Sequence, residues 1–205
     1  RIVGAAVSII AAAGSAAALT IDDFSDGGGP VGGSFLPTVV VEPSPTGAVG
    51  ERTLRFISGP STPAAKSGFL DDRWVTWGSS LGGRSVEVVY GEASPLARDL
   101  SGSTGFALDL ASVDVVDFSI TVSAMSGAGD ADVTKTGTAL GVPSAGLALG
   151  DPLIALQFAF ADFAGVDFSA IESLGFRIDA ASSVDLSFAA IRTTAVPVPA
   201  ALPLL

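Results

Sequence analysis

Apolar and polar side chains alternate with a period of two along most of this chain. Val86, Val88 and Tyr90 alternate with Ser85 and Glu87, and Phe106, Leu108 and Leu110 with Ala107 and Asp109. Phe118, Ile120 and Val122 alternate with Ser119, Thr121 and Ser123. Ile154, Leu156, Phe158 and Phe160 alternate with Ala155, Gln157 and Ala159. Leu174, Phe176 and Ile178 alternate with Gly175, Arg177 and Asp179, and Val184, Leu186 and Phe188 with Asp185 and Ser187. Successive side chains on a strand point to opposite faces, so each run predicts a strand with one buried and one wet face. Earlier segments at 19–24, 38–42 and 53–58 read as further strands. Clusters of Gly, Pro, Asp and Ser separate the runs. No segment keeps a helical period for ten residues, and only a single helical turn is expected, near 168–173. The pattern predicts an all-β fold of two packed antiparallel sheets.

The two ends depart from this alternation. Residues 2–18, IVGAAVSIIAAAGSAAA, form an uncharged, alanine-rich apolar run, followed by the polar start Leu19-Thr20-Ile21-Asp22-Asp23. That is the apolar region and cleavage site of a secretory signal peptide. Ala16 and Ala18 supply the small-x-small pattern, which places the cut after Ala18. The charged segment that normally precedes the apolar region is reduced to Arg1. At the other end the chain closes on VPVPAALPLL, residues 196–205. Alternating prolines fix φ, remove backbone donors and push each preceding residue to an extended conformation. Val196, Pro197, Val198, Pro199, Ala200 and Ala201 closely resemble the box that opens the PEP-CTERM class of bacterial sorting signals, in the variant that reads VPLPA. The resemblance covers these last ten residues alone. It implies an exported protein of a Gram-negative bacterium, destined for the outer-membrane surface or the extracellular matrix and linked to exopolysaccharide or biofilm. It also implies signal peptidase and a membrane exosortase as processing partners. In that family a membrane helix and a short arginine cluster follow the box. The reduced start and the break inside the signal are read as marks of a fragment of a longer reading frame, its membrane contact lying in the missing helix.

The expected organisation is a signal peptide at 1–18, one domain at 19–193, and a spacer with the start of the sorting signal at 194–205. Ile191 is expected to be the last residue in the core, with Thr193-Thr194-Ala195 as spacer. The order of IDDFSDG, LGGRSVEV, DLSGSTGFALDL, FSAIESLGFRID and SVDLSFAAI along 21–191 looks like galactose-binding-type jelly rolls. This second resemblance spans most of the domain. It implies a jelly-roll β-sandwich and a tendency to touch sugar.

Composition narrows the chemistry. The 205 residues hold 21 acidic and 10 basic side chains, a net charge of −11, and only two of the basic residues are lysines. Nucleic acid, which requires a basic face, is excluded as a partner. There are no cysteines and no histidines. Disulfides, the Ser-His-Asp triad and the commonest zinc ligand are therefore absent.

Three groups of residues remain as candidate sites. Trp74 and Trp77 suggest a platform for a sugar ring, although positions three apart on a regular strand face opposite sides. Asp22, Asp23 and Asp185 would meet if the first and last strands pair, and could hold a structural calcium. Asp71-Asp72 and the Asp130, Asp132 pair are further acidic positions. Gly82-Gly83-Arg84 reads as a tight turn rather than a phosphate loop. The sequence thus favours a non-catalytic exported surface or matrix protein. A carbohydrate-binding module is the alternative, and a glycan-cleaving enzyme, which needs two facing carboxylates, ranks behind it.

Overall fold

The computed structural model describes residues 18–25, 31–32, 38–42, 48–58, 66–69, 72–77, 84–181 and 184–195. Residues 1–17 and 196–205, on which nearly all of the expected signal peptide at 1–18 and the expected sorting box fall, lie outside the described residues. In chain order the strands begin with β1 (Thr20–Asp22), β2 (Val31–Gly32), β3 (Thr38–Glu42) and β4 (Arg52–Ser58). They continue with β5 (Lys66–Phe69), β6 (Trp74–Trp77), β7 (Arg84–Tyr90), β8 (Ser103–Val113) and β9 (Phe118–Ser126). The last four are β10 (Gly129–Thr136), β11 (Ile154–Ala159), β12 (Ile171–Ala180) and β13 (Leu186–Ala195). Every pairing between them is antiparallel. One sheet runs β11-β8-β13-β6-β5-β2, with β1 also on β13, and the other runs β10-β9-β12-β7-β4-β3. The fold is an antiparallel β-sandwich of jelly-roll type. Among the described residues no helix is long and apolar enough to cross a membrane.

The apolar positions of the alternating runs form the core. Phe106, Leu108 and Leu110 of the first sheet pack with Val86, Val88, Ile120, Val122, Phe176 and Ile178 of the second, and all are buried. Within β13 the alternation changes phase. Phe188 and Ile191 are both fully buried although they are three apart. A register shift between Phe188 and Ala190 inserts one extra residue against β8, and such a bulge returns the strand to its inward phase.

Several expectations change. Thr193–Ala195 is not a spacer: β13 continues to Ala195, and Thr193 is fully buried. The Thr193 amide donates to the Leu19 carbonyl at 2.8 Å, and the Leu19 amide donates to Thr193 Oγ1 at 2.9 Å. Core contact therefore runs past Ile191 because the first strand needs the end of the last one as its partner. The helical turn expected near 168–173 is a simple turn closed by the Ala170 amide on the Asp167 carbonyl, after which β12 begins. A 3-10 turn occurs instead at Phe160–Asp162, so Phe160 caps β11 rather than extending it. The outward positions of β8 are not wet: Ala107, Asp109 and Ala111 are buried. Arg192 lies over Asp109, with Nε and Nη2 each donating at 2.8 Å to its two carboxylate oxygens.

The first and last strands do pair, with Thr20 opposite Arg192 and Asp22 opposite Ile191. β1 is only three residues long, and a buried polar group secures it. The Asp22 carboxylate accepts from Arg52 Nη1 of β4 at 3.0 and 2.8 Å and from the Tyr90 hydroxyl of β7 at 2.6 Å. It also accepts from the Phe24 amide at 2.8 Å. Asp22, Arg52 and Tyr90 are all fully buried. The cluster joins a strand of one sheet to two strands of the other. Burial pushes the Asp22 carboxyl above its ordinary value, and Arg52, the Tyr90 hydroxyl and the Phe24 amide oppose that push.

Removing one partner leaves a buried charge uncompensated. Asp22→Asn and Arg52→Ala should each cost about 3–5 kcal/mol. Tyr90→Phe, which removes a single hydrogen bond to a charged group, should cost about 1.5–3 kcal/mol. Denaturant unfolding checks this: the midpoint should fall with the slope unchanged. A chain ended at Ala195 should keep the melting temperature of the longer chain. One ended at Arg192 should lose the Thr193–Leu19 pairing and melt lower, by about 4–8 °C for a loss of ~2 kcal/mol, as calorimetry would read it.

Candidate functional site

The residues singled out in the sequence are not brought together. Trp74 is fully buried, with its ring 5.6 Å from Phe188 and 6.2 Å from Phe24 between ring centroids. It is a core residue and cannot stack on a sugar. Its inward position follows from β6, where Trp74 lies opposite Phe188 of β13. Trp77 ends β6 opposite Lys66, and its side chain lies outside the described residues.

The calcium set also fails to assemble. The Asp22 carboxylate is occupied by Arg52, Tyr90 and the Phe24 amide. Asp23 is exposed and accepts from the Ser25 amide at 3.1 Å. Asp185 precedes β13, six residues before the partner of Asp22, which is about 20 Å of extended chain. There its amide donates to Asp114 Oδ1 at 2.7 Å, beside a shallow cavity of about 390 Å3 lined by Ser112, Leu147 and Leu149. Strand pairing brought the right strands together, but register put the acids at opposite ends. Among the described residues no cluster of three or more Asp, Glu, His or Cys could hold a metal ion.

Asp167 senses the charge of Asp99 from a neighbouring turn. Each carboxylate accepts from a serine two residues on, Ser101 Oγ at 2.6 Å and Ser169 Oγ at 2.7 Å. Those hydroxyls hold both carboxyls below their ordinary value. A glycosidase pair needs one carboxyl raised so that it keeps its proton, and these two are displaced the opposite way.

A site that sequence reasoning missed lies on the outer face of the second sheet. Strand register defines its rows. Asp132, Ser123, Gly175, Val89 and Thr53 stand in line across β10, β9, β12, β7 and β4. The adjacent row is Thr134, Thr121, Arg177, Glu87 and Arg55. Gly175 lacks the side chain that would fill the centre, and the gap opens a groove of about 260 Å3. Val89 and Met125 give it an apolar floor, and Arg55, Glu87, Ser123, Asp130, Asp132 and Ser173 line it. Arg55 Nη1 bridges to Glu87 at 3.3 Å, and Arg55 Nη2 pairs with Glu92. On the far row Arg177 Nε donates to Ser85 Oγ at 2.8 Å, and Thr121 Oγ1 meets Thr134 Oγ1 at 2.8 Å. β10, which forms one wall, was not anticipated as a strand: GDADVTKT carries a single large apolar residue, Val133. Alternating exposed Asp and Thr was its one signal, and Asp130 and Asp132 were read there only as a further acidic pair.

No family model matches the chain. No curated protein matches it either. Among solved structures, a family 11 carbohydrate-binding module from Clostridium thermocellum, in complex with a β-1,3-1,4-mixed-linked tetrasaccharide, is similar at 15% identity and a TM-score of 0.43. That alignment covers 87% of this chain and 96% of the module. A second structure is the family 11 module of the cellulosomal cellulase Lic26A-Cel5E of Clostridium thermocellum, at 14% identity and a TM-score of 0.41. It covers 93% of this chain and 99% of the other. Neither likeness identifies a ligand for this chain.

Because Trp74 is packed rather than presented, Trp74→Ala should cost about 3–5 kcal/mol in denaturant unfolding. The folded fraction should keep whatever ligand binding the intact protein has.

Proposed function

We propose that this protein is a non-catalytic, exported binding module that holds a polysaccharide chain across the outer face of its second sheet. The observation that carries the reading is the groove at Gly175. It is open to solvent rather than enclosed, and strand pleating sets its polar groups at fixed intervals. A guanidinium, two serine hydroxyls and carboxylates supply the donors and acceptors that sugar hydroxyls pair with. The apolar floor of Val89 and Met125 suits the C–H face of a sugar ring, and a sheet holds such a surface without reorganisation.

Export and sorting belong to the same proposal and rest on the two end signals. Cleavage after Ala18 would leave Leu19 as the first residue, at the point where it joins Thr193 in the sheet. The box at Val196-Pro197-Val198-Pro199-Ala200-Ala201 would then begin directly after the last strand, with Ala195 at the surface. Exosortase would act on this box, and surface or matrix polysaccharide would be the ligand.

Two measurements test the proposal. Intact mass of the exported form should lack residues 1–18, and a mature protein that keeps Arg1 would overturn export. A glycan array should give signals that Gly175→Leu removes. A Cβ at 175 meets Ser123 Cβ at 3.3 Å, so a small adjustment admits it and the fold survives. The larger side chain should fill the groove and weaken binding at least about tenfold, or 1.4 kcal/mol. A blank array, or binding unaffected by Gly175→Leu, would refute the polysaccharide reading.

A further inference from the structure

The charge balance of the groove selects among glycans, an inference that rests on the polysaccharide reading above. One guanidinium, Arg55, faces three carboxylates, Glu87, Asp130 and Asp132. Arg55 is already held by Glu87 and by Glu92 from the following turn, so it has little charge to offer a ligand. Asp130 and Asp132 have no cationic partner among the described residues. Both are exposed and lie on one face of β10, about 7 Å apart. They stand opposite Met125 and Ser123, on the β10 side of the groove. Another base of this face, Arg177, sits in the adjacent row and is held by Asp179 at 2.7 Å. Lys135, on the same strand as the two acids, has the opposite parity and donates to the Gln157 carbonyl and Asp162.

We infer that the groove takes a glycan bearing free amino groups, such as a de-N-acetylated hexosamine polymer, and rejects polymers of uronic acid. Two parallel carboxylates beside an open groove match ammonium groups repeated along a sugar chain. The same carboxylates repel an anionic polymer, and the net charge of −11 adds to that repulsion. The apolar floor distinguishes a sugar chain from a mere polycation.

Calorimetric titration tests this on the domain with chitosan oligomers, neutral mixed-linked β-glucan oligomers, polyuronate oligomers and oligolysine, in buffer containing a chelator. Chitosan oligomers should bind at least tenfold more tightly than the neutral glucan, with no measurable binding of polyuronate. Asp130→Asn with Asp132→Asn should abolish that preference while leaving the melting temperature unchanged, since both acids are exposed. Preference should also weaken as salt rises. Equal binding of neutral and amino sugars, or no effect of the double substitution, would overturn the charge selection and leave the polysaccharide reading standing. Oligolysine binding as tight as chitosan would show a general polycation surface and overturn it too. Failure of every glycan would overturn both.

Discussion

The Asp22–Arg52–Tyr90 cluster holds the two sheets in one arrangement, and much of the rest depends on it. Taking a carboxylate and a guanidinium out of water is costly, and their mutual attraction offsets this only when geometry and further hydrogen bonds are good. Here the carboxylate receives Arg52, the Tyr90 hydroxyl and the Phe24 amide, all within 3.0 Å. An apolar trio of similar volume could fill the same space, but it would accept many registers. A fork of donors around one carboxylate accepts few. The cluster thereby gives a three-residue strand a defined place between its own sheet and the opposite one. It also helps to hold Phe24 at φ 56°, a left-handed conformation uncommon for a bulky residue, by accepting its amide while the ring packs near Trp74.

The two termini of the domain meet in the same region. β1 and β6 share one edge of β13, β6 along Leu186–Phe188 and β1 near Ile191 and Arg192. The other edge of β13 belongs to β8 throughout. The last strand is therefore enclosed on both sides, and the end of the fold is set by hydrogen bonding rather than by loss of apolar character. This is why Thr193, a polar residue, is fully buried: its hydroxyl and amide both have backbone partners in Leu19.

The outer faces of the two sheets differ at their central rows. On the first sheet the row at Asp109 consists of Ala155, Asp109 and Ala190, closed by the Arg192 ion pair. On the second, large polar side chains stand around a glycine, and the surface is indented there. The binding proposal follows from that asymmetry. An indented row with fixed donors and acceptors offers a ligand several groups.

The sequence by itself determined the sandwich. Its apolar positions recur every second residue in run after run, and a two-sided strand buries one face only by packing against another sheet. It also marked most of the core, because Phe106, Leu108, Ile120, Phe176 and Ile178 have one side of a strand available to them. It did not determine which polar residues meet. Asp22 looked like a solvated acid or a metal ligand, and only the packing of β4 and β7 against β1 made it half of a buried ion pair. Trp74 and Trp77 stood three apart, one expected in the core, and only pairing with β13 showed Trp74 to be the buried one, beside Phe188. Asp185 was on the strand expected to approach Asp22, yet register set it about 20 Å away. The groove was invisible for the same reason. Gly175, Ser123, Val89, Asp132 and Arg55 are scattered over some 120 residues, and each is unremarkable locally. Periodicity is a property of neighbours in sequence, whereas register across strands is settled only when the whole sandwich has closed.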